Sequence, residues 1–215
     1  MTEELDRARY PLQWNASYEA KGTQWRGYFD LASYSDILFM DGLVLELGSG
    51  DGNTASQLVK TADNLVCIDI APSSFRVLPM SQLDVDKTVG DARILPFRDG
   101  TFQSIFCRHV LTHAIPGDSE AILKEIARVL SPEGVVLVEV FTPKDMRYGK
   151  GEEIWPNVFH RKDRLIWRFY PEEEIYTQIE DAGMVIIKSE INAKEVLYDG
   201  TIYVRESRII VASLK

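Results

Sequence analysis

Cysteine is scarce in this 215-residue sequence, with Cys67 and Cys107 the two present. Each lies in an apolar stretch that reads as a buried strand, so a disulfide framework has no basis and a soft-metal site has no ligands. We expect both to be small core residues and expect no metal site. No apolar run approaches the roughly 20 residues that span a bilayer. The opening Met1-Thr2-Glu3-Glu4-Leu5-Asp6 also lacks the basic-then-apolar order of a secretory signal. The expectation is a cytoplasmic chain with no membrane partner. Positive charge is short as well: 24 Lys and Arg face 33 Asp and Glu, a net charge of −9. That balance disfavours a partner held mainly by phosphate contacts, so nucleic acid is not the expected ligand. The local group Arg161, Lys162, Arg164 and Arg168 is either a solvated approach to a helix or an anion site. Repeats and low-complexity segments are missing, and oligomeric state leaves no mark on the sequence.

What is present suits one domain over residues 1–215, because a chain of this length buries about 70% of its extended surface around one core. From Leu43 onward, short β-rich apolar runs alternate with amphipathic stretches, the pattern of a parallel sheet covered by helices. The strand candidates are Leu43 to Leu47, Leu65 to Ile70, Phe102 to Cys107 and Val135 to Phe141. Thr54 to Lys60 and Ser119 to Leu130 have helical spacing, the second with Ile122, Leu123, Ile126, Val129 and Leu130 on one face. Ser131-Pro132-Glu133-Gly134 is expected to stop that helix and turn into the next strand. A helix starting at Pro171-Glu172 leads to the apolar runs Met184 to Ile187 and Ser207 to Ser213. No helical pattern joins these last two, so they must pair as a hairpin and add an antiparallel element to the sheet.

Glu46-Leu47-Gly48-Ser49-Gly50-Asp51-Gly52 follows directly on Leu43-Val44-Leu45, placing an acid at a strand end and three glycines in the turn beyond it. Glycine there lets the backbone approach a ligand and take positive φ. A dinucleotide fingerprint wants its third glycine one place later, where Asn53 stands. An acid at Glu46 suits an ammonium group better than a pyrophosphate. Asp69 ends the next strand, where its carboxylate can accept both hydroxyls of a ribose, and Ile70 beside it offers an apolar face to a purine. Gly90-Asp91-Ala92, with Leu95-Pro96-Phe97 after it, adds a third acid at the same sheet edge, the edge that carries the ligand crevice in open α/β sheets.

This ordered set resembles the class I S-adenosylmethionine-dependent methyltransferases, over roughly Gly42 to Phe141. The resemblance implies a Rossmann-like three-layer α/β sandwich whose seven-stranded, mostly parallel sheet has an antiparallel last strand. It implies S-adenosyl-L-methionine as cofactor and S-adenosyl-L-homocysteine as product. The glycine turn (Gly48, Ser49, Gly50, Gly52) would hold the methionine part, Asp69 the ribose and Asp91 the adenine amino group, with Ala92 and Arg108 also on the cofactor side. Ala127-Arg128-Val129-Leu130-Ser131-Pro132-Glu133-Gly134 looks like a further motif of the family. Gln103 departs from it, since many members carry an acid after the residue matching Phe102.

Where the acceptor binds is read more coarsely. A sulfonium donor is already activated, so alignment is the main requirement, with a base needed when the acceptor must lose a proton. His109 and His113 would share a face on a helical turn, as base or substrate contacts or as packing residues. Family members acting on nucleobase or glutamine amide nitrogens usually carry an Asn/Asp-Pro-Pro-aromatic motif at this point, and it is missing. The first 40 residues, with Trp14, Tyr18 and Trp25 among their aromatics, are either helices packed on the body or a cap over a ligand. The stretch 142–170, holding His160, Trp155, Trp167 and Tyr170, is a natural substrate lid. The chain ends also look like the branch of tellurite-resistance and thiopurine methyltransferases, which implies a small acceptor. A tRNA or protein methyltransferase and a noncatalytic partner subunit of the same fold are the competing readings.

Overall fold

The computed structural model describes residues 10–24, 29–162 and 165–215. In chain order the elements are α1 (Tyr10–Lys21), β1 (Leu43–Leu47), α2 (Ala55–Leu58), β2 (Asn64–Asp69), β3 (Asp86–Val89), β4 (Phe102–Arg108), α3 (Asp118–Val129), β5 (Leu130–Phe141), β6 (Glu152–Trp155), β7 (Val158–His160), β8 (Ile166–Arg168), α4 (Glu172–Asp181), β9 (Met184–Tyr198) and β10 (Thr201–Leu214). Seven strands form one sheet in the order β3-β2-β1-β4-β5-β10-β9, and β6, β7 and β8 form a small antiparallel sheet of their own. Strands β1 to β5 pair in parallel, while β10 runs antiparallel to both β5 and β9.

Alternation along the central strands explains the layers. Leu45, Leu47, Ile105 and Val138 pack with Ile122, Ile126, Ile175 and Ile179 of α3 and α4 on one face. Val44, Phe106, Leu137 and Val211 pack on the other face with Ala55, Leu58, Phe29 and Tyr34. Strands covered on both sides read as continuous apolar runs, which is how β1, β2, β4 and β5 look in the sequence. Cys67 belongs to one face and Cys107 to the other, both buried, so they are core residues on opposite sides of the sheet.

Two expectations change. Leu130 caps α3 and already starts β5, so Ser131 to Gly134 run as strand rather than as a separate turn. The polar stretch after Ile187 is no link either, because β9 and β10 continue through it as a long hairpin whose tip, Asp199 and Gly200, has φ of 48° and 75°. Two positive φ values at a two-residue tip suit the right-handed twist of the flanking strands. The arm projects past the main sheet and is stitched to residues 142–146, Met146 N–H donating to the Val204 carbonyl at 2.8 Å. Among the described residues, no helix is long and apolar enough to cross a membrane.

Candidate active site

At the end of β1 the chain turns through Gly48, Gly50 and Gly52 at φ of 69°, 53° and 85°. A Cβ on Gly48 would lie 2.3 Å from a Val110 methyl, and one on Gly50 would lie 2.6 Å from the Tyr18 hydroxyl. Conformation and space therefore both demand glycine at these two positions. Gly48 and Ser49 N–H donate to the Ile68 carbonyl at 2.8 and 3.0 Å, fastening the turn to β2. Asp69 organises the rest: one oxygen accepts from Gly50 N–H and the other from Ala71 N–H, each at 2.8 Å. Burial raises its carboxyl to about 6, with the Ala71 and Gly50 amides acting in the opposite sense. It is a fixed carboxylate at neutral pH. Gly52 lies behind the turn against Met80, outside the cavity lining.

Glu46, on β1, is buried, and burial raises its carboxyl from 4.5 to about 8 despite Arg108, Cys67 and Thr54. The folded protein thus holds a proton that the unfolded chain releases near 4.5, and stability falls as pH rises between those values. Glu46→Gln cannot ionise and escapes that loss. We expect its melting temperature at pH 8 to exceed wild type by several degrees, at ~2 to 4 °C per kcal/mol for a chain of this size. At pH 5 the two should nearly coincide. Scanning calorimetry checks this, and equal melting temperatures at both pH values would contradict it.

Asp91 holds Arg93 as a fork, with Nη2 at 2.6 Å and Nε at 3.0 Å, and the same guanidinium reaches Asp118 at 3.2 Å. Although burial opposes it, these bonds to Arg93 keep the Asp91 carboxyl below its ordinary value. Ile70, Asp91 and Ala92 line the cavity edge together with Asp69.

Across the cavity stands Glu139, a carboxylate inside the apolar run of β5 and 2% exposed. Arg108 Nε donates to it at 2.7 Å and Ser207 Oγ to its other oxygen at 2.7 Å, while His109 Nε2 lies 3.6 Å away. Burial favours the neutral carboxyl, but His109, Arg108 and Ser207 outweigh it and hold Glu139 at about 2. Arg108 also donates to Thr54 Oγ1 at 2.7 Å and covers the Phe29 ring at 4.0 Å. It therefore braces β4, β5 and α2, with its guanidinium already engaged. His109 has φ of 61° and stacks on Phe141 at 4.6 Å. Burial pushes its imidazole down to about 4, so it is neutral at pH 7.

His113 sits one 3-10 turn further on. Its Nδ1 is 2.7 Å from the Ile166 carbonyl, so Nδ1 carries the proton and Nε2 the lone pair. Its ring meets Trp14 of α1 edge-on at 4.8 Å and Trp167 of β8 at 5.5 Å, which places it between the N-terminal helix and the small sheet. Both histidines reach the cavity, but not as neighbours on a helix face: His109 is in the left-handed region and only Leu111–His113 is helical.

One cavity of about 1090 Å³ joins these parts, lined by the glycine turn, the three acids, both histidines, Trp14, Tyr18 and Trp167. Tyr18 approaches the glycine turn with its hydroxyl beside Gly50. His160 pairs with Glu152 in the small sheet and does not line the cavity. Trp25 and Arg164 lie outside the described residues. The basic group at 161–168 is not a common face: Arg168 is 2% exposed, bound to Glu174 at 2.5 Å and Ser119 at 2.7 Å, whereas Arg161 covers Trp167. Glu139 and the hairpin residues Asn192, Lys194, Tyr203 and Arg205 also line the site, and sequence reasoning missed them. A lone glutamate in Val135-Val136-Leu137-Val138-Glu139-Val140-Phe141 was the available signal for the first.

Ser49 Oγ and Gln24 Nε2, beside the glycine turn, are buried with no hydrogen-bond partner among the described residues. Buried donors in that state call for an acceptor such as a carboxylate. With Glu46, Asp69 and Asp91 nearby, this end can hold a ligand that bears a carboxylate, an ammonium group and vicinal hydroxyls. Among the described residues, no group of three or more His, Cys, Asp and Glu is arranged to hold a metal ion.

Residues 45–138 match the family model described as a methyltransferase domain. The human tRNA N(3)-cytidine methyltransferase METTL2B is 24% identical over 166 residues, covering 70% of this chain and 44% of that protein. The chain thus spans less than half the length of the curated tRNA methyltransferases it matches. A solved SAM-dependent methyltransferase from Methanosarcina mazei superposes at a TM-score of 0.70 with 21% identity, over 88% of this chain and 100% of that one. The Burkholderia thailandensis 1,6-didemethyltoxoflavin-N1-methyltransferase, solved with 1,6-didemethyltoxoflavin and S-adenosylhomocysteine, gives a TM-score of 0.61 at 14% identity, over 100% of this chain and 83% of that one.

Proposed function

We propose that this chain, whose residues 45–138 match a methyltransferase domain, is a class I S-adenosylmethionine-dependent methyltransferase that transfers a methyl group from S-adenosylmethionine to a small-molecule acceptor. One observation carries the reading: one continuous cavity has carboxylates and a glycine turn at one end and an aromatic wall at the other. In this reading Ser49 and Gln24 meet the carboxylate of the cofactor, Glu46, giving up its proton as the cofactor binds, meets the ammonium group, and Asp69 takes the ribose hydroxyls, Ile70 the adenine face and Asp91 the adenine amino group. When bound, S-adenosylmethionine supplies a methyl group already activated by its sulfonium. The chain's own task is then alignment and exclusion of water. The N-terminal helix with Trp14 acts as a cap, residues 142–170 act as a lid carrying Trp167, and His113 Nε2 accepts a proton from an acceptor that must lose one.

The similarity to tRNA methyltransferases favours a second reading, docking of RNA. Its expected docking surface at 161–168 loses support, since Arg168 is an interior ion-pair residue. Methyl-labelled S-adenosylmethionine incubated with the protein and a size-fractionated cell extract tests the choice. Label in the low-mass fraction is the expected result, and label in RNA or protein would overturn the small-acceptor reading.

A further inference from the structure

The two ends of the cavity differ in charge. At the cofactor end the cations Arg93 and Arg108 are matched by Asp91, Asp118 and Glu139, and Asp69 adds a further carboxylate, whereas Arg147, Lys150, Arg161, Lys194 and Arg205 line the lid and hairpin end. In a chain of net charge −9 such a basic wall is not a by-product of composition.

The acids near that wall are already engaged. Asp145 takes Arg147 Nε at 2.6 Å, Arg147 Nη2 at 2.7 Å and the Glu206 amide at 2.9 Å, which accounts for Arg147. Glu206 Oε1 accepts from Thr142 Oγ1 at 2.6 Å. Among the described residues, Lys150, Arg161, Lys194 and Arg205 make no ion pair.

The hairpin register adds an independent reason. Lys194 of β9 stands directly opposite Arg205 of β10, with Val196 opposite Tyr203 as the next pair on that face. Like charges directly opposite on a two-stranded ladder repel each other, and an anion bridging them turns that cost into a gain. Lys150 lies over the Tyr203 ring at 5.6 Å, on the same side. The wall holds a further unmet donor, Trp167 Nε1, which is buried with no acceptor among the described residues.

We infer that the acceptor carries an acidic group, a carboxylate or a phosphate, held by Lys194 and Arg205 with Lys150 beside them, while its apolar body lies along the aromatic wall of Phe141, Trp167 and Tyr203. This deepens the small-acceptor reading and rests on its assignment of this end to the acceptor. Lys194 and Arg205 then decide which molecules are accepted, and neither takes part in holding the cofactor.

Isothermal titration with 2-naphthoate and its neutral isostere 2-naphthamide tests the inference, with and without saturating S-adenosylhomocysteine. We expect the acid to bind about tenfold or more tightly than the amide, the scale of one charged hydrogen bond. Both substituted residues are solvent-exposed, so the double variant Lys194→Ala/Arg205→Ala should fold, lose that preference and retain its affinity for S-adenosylhomocysteine. 2-Naphthyl phosphate in the same series assigns carboxylate or phosphate by which of the two acids binds tighter. Equal affinities for acid and amide, no binding of either, or a preference that survives in the double variant would overturn the inference. So would an RNA hairpin that binds wild type but not the double variant while 2-naphthoate fails to bind. Failure of S-adenosylhomocysteine to bind would instead count against the cofactor reading, because the acid preference is also measured without it.

Discussion

Replacing Glu139 by alanine is expected to cost about 3 to 5 kcal/mol of folding stability, because it leaves a partly buried guanidinium without its carboxylate. Arg108 would keep Thr54 Oγ1 as a partner but lose the 2.7 Å bond to Glu139, and the Ser207 hydroxyl would lose its acceptor on the neighbouring strand. At ~2 to 4 °C per kcal/mol, the melting temperature should fall by roughly 10 °C. Glu139→Gln keeps volume and a hydrogen bond and should lose less. The pH dependence has a definite sign. A carboxyl held at about 2 when folded against 4.5 otherwise stabilises fully above the higher value and loses its contribution as pH falls toward the lower. The gap between wild type and Glu139→Gln should therefore narrow below about pH 4.5. An unchanged melting temperature for Glu139→Ala at pH 7 would show that Arg108 does not depend on this pairing.

The second large effect is expected at His113. Its Nδ1 is fixed on the Ile166 carbonyl and its ring is clasped by Trp14 and Trp167, so the lone pair on Nε2 is held in one direction at the junction of cap and lid. General-base removal typically costs about 100-fold or more in rate. His113→Ala should slow label transfer into the accepting fraction by about that factor, with affinity for S-adenosylhomocysteine changed less than about threefold. Equal loss of rate and cofactor affinity would make His113 a packing residue. His109, pushed down to about 4 and stacked on Phe141, is better suited to positioning Glu139 and Arg108.

The legible parts of this fold were those fixed by local pattern. β1 was read to the residue, and α3 buries four of the five apolar positions that its 3.6-residue spacing picks out, Ile122, Leu123, Ile126 and Val129, the fifth, Leu130, already belonging to β5. The positions of the glycine turn and of Glu46, Asp69 and Asp91 were legible because each lies at or just beyond the carboxyl end of a strand, and a parallel sheet brings those ends to one edge. The misses share another cause: they depend on tertiary placement. The hairpin arm is polar along its outer half, so it gives no apolar run, although Asp199-Gly200 is the local signal that would have found its tip. Arg168 looked like a surface charge in a basic stretch, but Ser119, distant in sequence on α3, and Glu174, at the start of α4, close over it as partners. Spacing suggested a shared helical face for His109 and His113, whereas the left-handed His109 and the short 3-10 turn after it send them to different aromatic partners.

The most direct measurement is calorimetric titration of S-adenosylhomocysteine into the wild-type protein and Asp69→Ala. The variant loses the carboxylate assigned to the ribose and leaves the Gly50 and Ala71 amides without their acceptor. The account predicts one saturable site in wild type and an affinity lower by about 1.5 to 3 kcal/mol in Asp69→Ala, roughly 10- to 150-fold. No binding to wild type, or equal affinity in the two proteins, would contradict the placement of the cofactor on the glycine turn and Asp69.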